Sequence, residues 1–169
     1  MELRVGDSVV HPIHGVGRIV TVSNKKFTEA QPRLYYQVVT DSSTVWIPAE
    51  SFEKIGMRQL PPKRELELYR SVLKKAPVPF DPNHSKRRLE LAERLKHGSF
   101  KSLCELVRDL SALGWNKPLG TADAVSLRRA HERLCREWAA VDNIPIGNAE
   151  SEIDSLLLQS KRTFMRQTT

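Results

Sequence analysis

Residues 5–20, Val5-Gly6-Asp7-Ser8-Val9-Val10-His11-Pro12-Ile13-His14-Gly15-Val16-Gly17-Arg18-Ile19-Val20, constrain what this chain can fold into more than any other stretch. Two short β-branched runs, 8–10 and 18–22, flank a tip that holds Pro12, Gly15 and Gly17, and this spacing predicts two antiparallel strands joined by a turn. Pro12 withholds a backbone donor and marks a strand end. Gly15 and Gly17 permit either positive φ or a close backbone approach that a Cβ would obstruct. The hairpin therefore opens a small β module.

The following sequence extends that module. Leu34-Tyr35-Tyr36-Gln37-Val38-Val39 predicts a third strand and Thr44-Val45-Trp46-Ile47-Pro48 a fourth, because both are rich in aromatic and β-branched residues and are separated by the turn residues Asp41-Ser42-Ser43. A short fifth strand is expected around 55–58. So many short strands in about sixty residues favour a strongly bent barrel of the SH3 or Tudor type. Such a barrel is too small to enclose a substrate. Pro61-Pro62 then breaks the pattern, a helix with apolar groups at helical spacing runs from 65 to about 75, and Ala76-Pro77-Val78-Pro79-Phe80-Asp81-Pro82 reads as a stiff extended linker.

From Asn83 the periodicity is helical throughout. Asn83 or Ser85 caps a helix carrying Leu89, Leu91, Ala92 and Leu95 and ending at His97-Gly98. Ser99 caps a second helix with Leu103, Leu106, Val107 and Leu110 on one face, and Thr121 opens a third running to Asp142. Asn148 is expected to cap the last. The fold class is thus α+β, a small SH3/Tudor-like barrel over 1–60, a helix and Pro-rich linker over 61–82, and a compact all-α domain over 83–169.

Charge separates the two parts. Residues 1–60 hold seven Lys/Arg against six Asp/Glu, whereas the remainder holds 20 against 14, which carries most of the net +7. A basic C-terminal part beside a near-neutral N-terminal part points to different partners, with a polyanion on the basic side. No apolar run is long enough to span a membrane, and Met1-Glu2-Leu3-Arg4 lacks the apolar core of a signal peptide; a cytoplasmic protein is expected. Cys104 and Cys135 stand alone on apolar helix faces, which predicts buried free thiols. His11-Pro12-Ile13-His14 lacks a third ligand at familiar spacing, and no Gly-x-Ser-x-Gly elbow or Gly-x-x-x-x-Gly-Lys-Ser/Thr loop occurs. No enzyme, metal or cofactor is expected.

Val5-Gly6-Asp7, Val9-Val10, Pro12, His14-Gly15, Tyr35-Tyr36, Ile47-Pro48-Ala49-Glu50 and Gly56-Met57-Arg58, followed by Ser85-Lys86-Arg87, Leu95-x-x-Gly98 and Val107-Arg108-Asp109-Leu110, together resemble the CarD family of bacterial transcription regulators. The order and spacing carry the resemblance, and it covers nearly the whole chain. A similar N-terminal module occurs in the bacterial transcription-repair coupling factor. The resemblance implies that the N-terminal module binds the RNA polymerase β subunit through an exposed strand, and that the helical domain lies on promoter DNA at the upstream edge of the bubble and stabilises the open complex. A monomer associated with the nucleoid through polymerase is then expected.

Carried over by position, the polymerase-facing residues are Lys25, Trp46, Ile47 and Pro48. Relatives often hold arginine at the positions of Lys25 and Trp46, so Trp46 would replace an ion pair by apolar or stacking contact. Trp46 stands between two assignments, interface residue and barrel-core aromatic. The DNA-facing residues are His84, Lys86, Arg87 and Arg88, with backbone and minor-groove contact that does not read sequence. Arg94, Lys96 and Lys101 extend this patch while Glu90 and Glu93 oppose it; the alternative for all of them is a solvated charged face. Many relatives carry at the position of His84 a tryptophan that wedges into the minor groove, and a histidine wedges less well because it has less area and a polar rim. The competing reading is therefore a polymerase-binding adaptor or competitor with a weakened wedge. A further alternative is a barrel that itself binds nucleic acid.

Overall fold

The computed structural model describes residues 2–27, 29 and 31–167. The chain forms two units that meet in sequence between Leu60 and Pro61. In the first, strands β1 (Ser8–His11), β2 (Gly15–Lys25), β3 (Arg33–Thr40), β4 (Thr44–Pro48) and β5 (Arg58–Gln59) make one antiparallel sheet in the order β4-β3-β2-β1-β5. Leu3, Val9, Ile19, Tyr36, Val38, Ile47, Phe52 and Met57 form its core. Alternation along each strand sends this set to one side of the sheet. A register shift between Ile19 and Thr21 lets β2 turn with the bending sheet.

The two hairpin glycines serve different ends. Gly15 has φ +77°, a left-handed conformation at the turn, whereas a Cβ on Gly17 would approach the Val38 and Thr40 side chains and the Val39 carbonyl within 2.9 Å. The fifth strand lies slightly later than 55–58, because a 3-10 turn (Ala49–Ser51) and a loop carry the chain to Met57 before it pairs with β1. His11 fixes the tip: its Nδ1 accepts from the Ile13 and His14 backbone N–H groups at 3.0 and 3.1 Å. That turn role, rather than metal ligation, occupies the ring nitrogen.

The second unit contains α1 (Leu66–Lys74), α2 (His84–His97), α3 (Phe100–Leu113), α4 (Thr121–Asp142) and α5 (Ile146–Gln167). Leu66, Tyr69, Val72 and Leu73 of α1 belong to the same core as Leu103, Leu106, Val107, Leu110, Leu134, Trp138 and Ile153. Residues 61–82 are therefore not a separate linker segment. Their helix is part of the helical unit, and the Pro-rich run is fastened to it through Val78 N–H, which donates to Asp109 Oδ1 at 3.0 Å. Asn83 caps α2 by accepting from the Ser85 and Lys86 amides, and Ser99 caps α3 by accepting from Ser102 N–H. α5 begins at Ile146, ahead of the expected cap Asn148, whose own N–H donates to the Pro145 carbonyl. Asn143 in the left-handed region ends α4.

Both cysteines are buried free thiols. None of the helices among the described residues is long and apolar enough to cross a membrane.

Desolvation, and then the neighbouring His14, hold the His11 imidazole below its ordinary pKa of 6.5. The fold thus favours the neutral ring, so this contribution to stability is fully present above 6.5 and is lost as pH falls through the lower folded value. Amide-exchange protection of β1 and β2 in the full chain is expected to drop between about pH 7 and pH 5, and His11→Asn should remove part of that dependence. An identical pH profile in the variant would contradict the assignment.

Candidate functional site

In the first unit, β4 is an edge strand. Thr40 N–H donates to the Ser43 carbonyl at 2.8 Å, so alternation along the ladder makes Val38–Val45 and Tyr36–Ile47 the hydrogen-bonded pairs. The backbone groups of Thr44, Trp46 and Pro48 consequently face the open edge, and Pro48, which has no N–H, closes the row.

The side chains divide accordingly. Ile47 is 5% exposed and its side chain packs in the β core. Val45 packs against the same core. Trp46 takes the other face, outside the β core. There Lys25 Nζ lies 4.9 Å from the Trp46 ring centroid, Phe27 lies 6.1 Å from Trp46, and Phe27 meets Tyr35 edge-on at 4.9 Å. Lys25 is thus placed beside Trp46. Phe27 and Tyr35 complete the cluster, and sequence reasoning missed both because Phe27 lies in the polar connection beyond β2.

In the second unit, α2 is the helix with the least apolar attachment. Leu91 is its only fully buried hydrophobic side chain, with Leu95 partly buried and Leu89 exposed. Arginines supply the rest. Arg87 Nη2 lies 3.1 Å from Asp123 Oδ2 in the first turn of α4, with side-chain exposures of 12% and 15%. Arg133 of α4 donates to the Leu95 carbonyl at 2.5 Å and pairs with Glu137, 1% exposed, at 3.0 Å. Arg94 lies 3.9 Å from Asp109 and over the Phe80 ring. α2 is therefore braced near both ends by α4 and along its length by α3.

This bracing revises the predicted basic run. Lys86 and Arg88 are exposed, whereas Arg87 points inward. Successive helical side chains are about 100° apart, so three consecutive residues cannot share one face. His84 is exposed at the first helical position, and its Nδ1 lies 2.8 Å from Arg87 Nη2. A guanidinium only donates, so this nitrogen accepts and the ring is tied to the brace. Trp115 contacts Phe164, and Trp138 is fully buried.

Cys135 Sγ lies 3.9 Å from the His131 ring, and His131 Nε2 lies 2.7 Å from Asp154. This resembles a nucleophile, a base and an orienting carboxylate. Burial, followed by the Glu150 and Asp154 charges, pushes the Cys135 thiol up to about 12, so it stays protonated and inert. No cluster that could hold a metal occurs among the described residues.

If Arg87 and Asp123 form a structural brace, Arg87→Ala and Asp123→Ala should each destabilise the protein, and a double-mutant cycle should give coupling on the order of 1 kcal/mol. Lys86→Ala should lie within about 0.5 kcal/mol of wild type. Chemical denaturation of the single and double variants measures this, and additive effects of the Arg87 and Asp123 substitutions would remove the brace.

Residues 3–60 match the CarD-like/TRCF RID domain and residues 69–154 match the CarD C-terminal domain. YdeB of Bacillus subtilis (strain 168), described as a candidate transcription factor, is 25% identical over 147 residues, covering 83% of this chain and 93% of that protein. The two family models match the β unit and most of the helical unit in the expected order, and the chain belongs to the CarD family of bacterial transcription regulators.

Proposed function

We propose that this protein joins RNA polymerase to upstream promoter DNA and slows collapse of the open complex. A strand of the polymerase β subunit pairs with the open edge of β4, and the outward face of α2 lies along the DNA backbone. The observation that carries this reading is the unpaired edge of β4, flanked by Trp46, Lys25 and Phe27, in a chain whose other unit presents a nearly solvent-surrounded basic helix. Strand addition supplies main-chain hydrogen bonds, and the flanking side chains select the partner. With tryptophan instead of arginine at position 46, that selection rests on apolar area and stacking, so polymerase affinity depends only weakly on salt.

On α2, Lys86 and Arg88 supply phosphate contacts, supported by the amides of the helix N-terminus. Arg87 acts through the brace and His84 through Arg87. The exposed histidine provides little apolar area for insertion between base steps. That observation favours the second reading, a polymerase-bound adaptor with weak action on DNA.

Open-complex lifetime with the matching bacterial polymerase separates the two. The bridging reading predicts that wild type lengthens the lifetime at saturating protein, that Lys86→Ala/Arg88→Ala loses most of the effect, and that His84→Trp lengthens it further. A wild type that binds polymerase without changing the lifetime, together with a His84→Trp variant that lengthens it, establishes the adaptor reading instead.

A further inference from the structure

We infer that the open edge of β4 pairs with its own counterpart, so that two copies of this chain join antiparallel about a twofold axis through Trp46. The self-pairing is argued from the edge alone. Only its consequence, that paired copies are withheld from polymerase, rests on the reading that polymerase uses this edge.

The register selects a second copy as the occupant. The main-chain groups on the open edge are the N–H and C=O of Thr44 and Trp46 and the C=O of Pro48. In an antiparallel pair the residue numbers run in opposite directions, so setting Trp46 opposite Trp46 of the second copy sets Thr44 opposite Pro48. The two Trp46 residues then exchange both main-chain hydrogen bonds, and each Thr44 N–H donates to the Pro48 carbonyl of the other copy. Pro48 has no N–H, so every donor on the edge finds an acceptor, and only the Thr44 carbonyl stays in water at the end of the ladder.

The side chains favour this register. Residues that exchange both bonds point to the same face, with Cα atoms about 5.5 Å apart, so the two indoles lie side by side on the outer face. Sliding the pair to set Trp46 opposite Thr44 satisfies the same donors but gives up the contact between two aromatic rings. A residue on a twofold axis meets itself, and a charge at that position would repel its own copy. β4, Thr-Val-Trp-Ile-Pro, carries no charge at all. Its pairing with β3 runs without a register shift, so no bulge turns the edge away. Pro48 at its end is the one common protection of an edge strand that β4 possesses. Phe27, 58% exposed beside Trp46, and Tyr35 widen the apolar surface next to the axis, while Lys25 is held over the ring of its own copy.

A five-residue strand is short, which places the pair among interfaces that bury less than about 1,200 Å² and dissociate readily. The copies therefore separate on dilution and join where the protein is concentrated. Only the separated fraction presents a free β4 edge, so the apparent affinity for any partner of that edge falls as the protein accumulates.

Sedimentation velocity of the full chain from micromolar to millimolar concentration, with amide exchange measured over the same range, tests this. Wild type should rise from the mass of one chain toward that of two, with exchange slowed at the Thr44 and Trp46 amides. Trp46→Phe should keep that behaviour, and Trp46→Arg, with an unchanged thermal unfolding midpoint, should stay a single chain throughout. A wild type that remains a single chain at every concentration overturns the inference. So does association that Trp46→Arg leaves intact, or that leaves the two amides unprotected, because either places the contact elsewhere. Adding polymerase to the paired wild type should dissolve the pairs. Polymerase that binds the intact pair would show that this edge is not its site, with the self-pairing still established by the Trp46→Arg result.

Discussion

Arginine held by carboxylate is what allows the helical unit to keep one helix almost wholly in solvent. A helix with a single fully buried leucine gains only about 1.5–3 kcal/mol from that burial, which is small against the entropy of ordering fourteen residues. The Arg87–Asp123 pair and the contact of Arg133, itself held by Glu137 within α4, with the Leu95 carbonyl fasten α2 without covering its outer side. Deeper in the unit, Arg108 and Asp109 are both buried and pair at 2.9 Å; Arg108 also donates to the Val72 carbonyl and Asp109 accepts from Val78 N–H. Removing one member of such a buried pair costs about 3–5 kcal/mol, because the other charge is left uncompensated. The buried pair thus holds α3, the end of α1 and the proline-rich run in one arrangement, the arginine reaching α1 and the carboxylate the proline-rich run.

The β unit solves a different problem. A five-stranded open sheet leaves edge groups unpaired, and such an edge invites association. β5 is only two residues long. β4 is longer, ends in proline and carries Trp46 outward among Phe27, Tyr35 and Lys25. The sheet thus leaves one edge short and the other flanked by aromatic and basic side chains. Binding at β4 would not disturb the core, because Ile47 and Val45 remain on the inner face.

Much of this was legible in the residues. The hairpin, the alternation in β4 and the caps at Asn83 and Ser99 follow from local chemistry, and the structure contains each of them. Alternation placed Trp46 opposite Ile47 but left open which face was the core; Tyr36 and Phe52, distant in sequence, decide that. The run Lys86-Arg87-Arg88 reads as one patch in a linear string, and helical rotation divides it. Asp123 lies 36 residues from its partner Arg87, and no local pattern connects them. The proline-rich run reads as a linker because prolines exclude helix, but its attachment through Val78 depends on a carboxylate on another helix. Local rules thus located the elements, while long-range ion pairs determined which charges remain available.

The central claim is that one chain uses two separate surfaces, the β4 edge for polymerase and the outward face of α2 for DNA. Hydrogen–deuterium exchange of the full chain, alone, with polymerase and with polymerase on promoter DNA, tests it most directly. The account predicts slowed exchange at the Thr44 and Trp46 amides on adding polymerase alone, with α2 slowed only when DNA is also present. Unchanged exchange along β4 in a chain that is demonstrably bound to polymerase would contradict it.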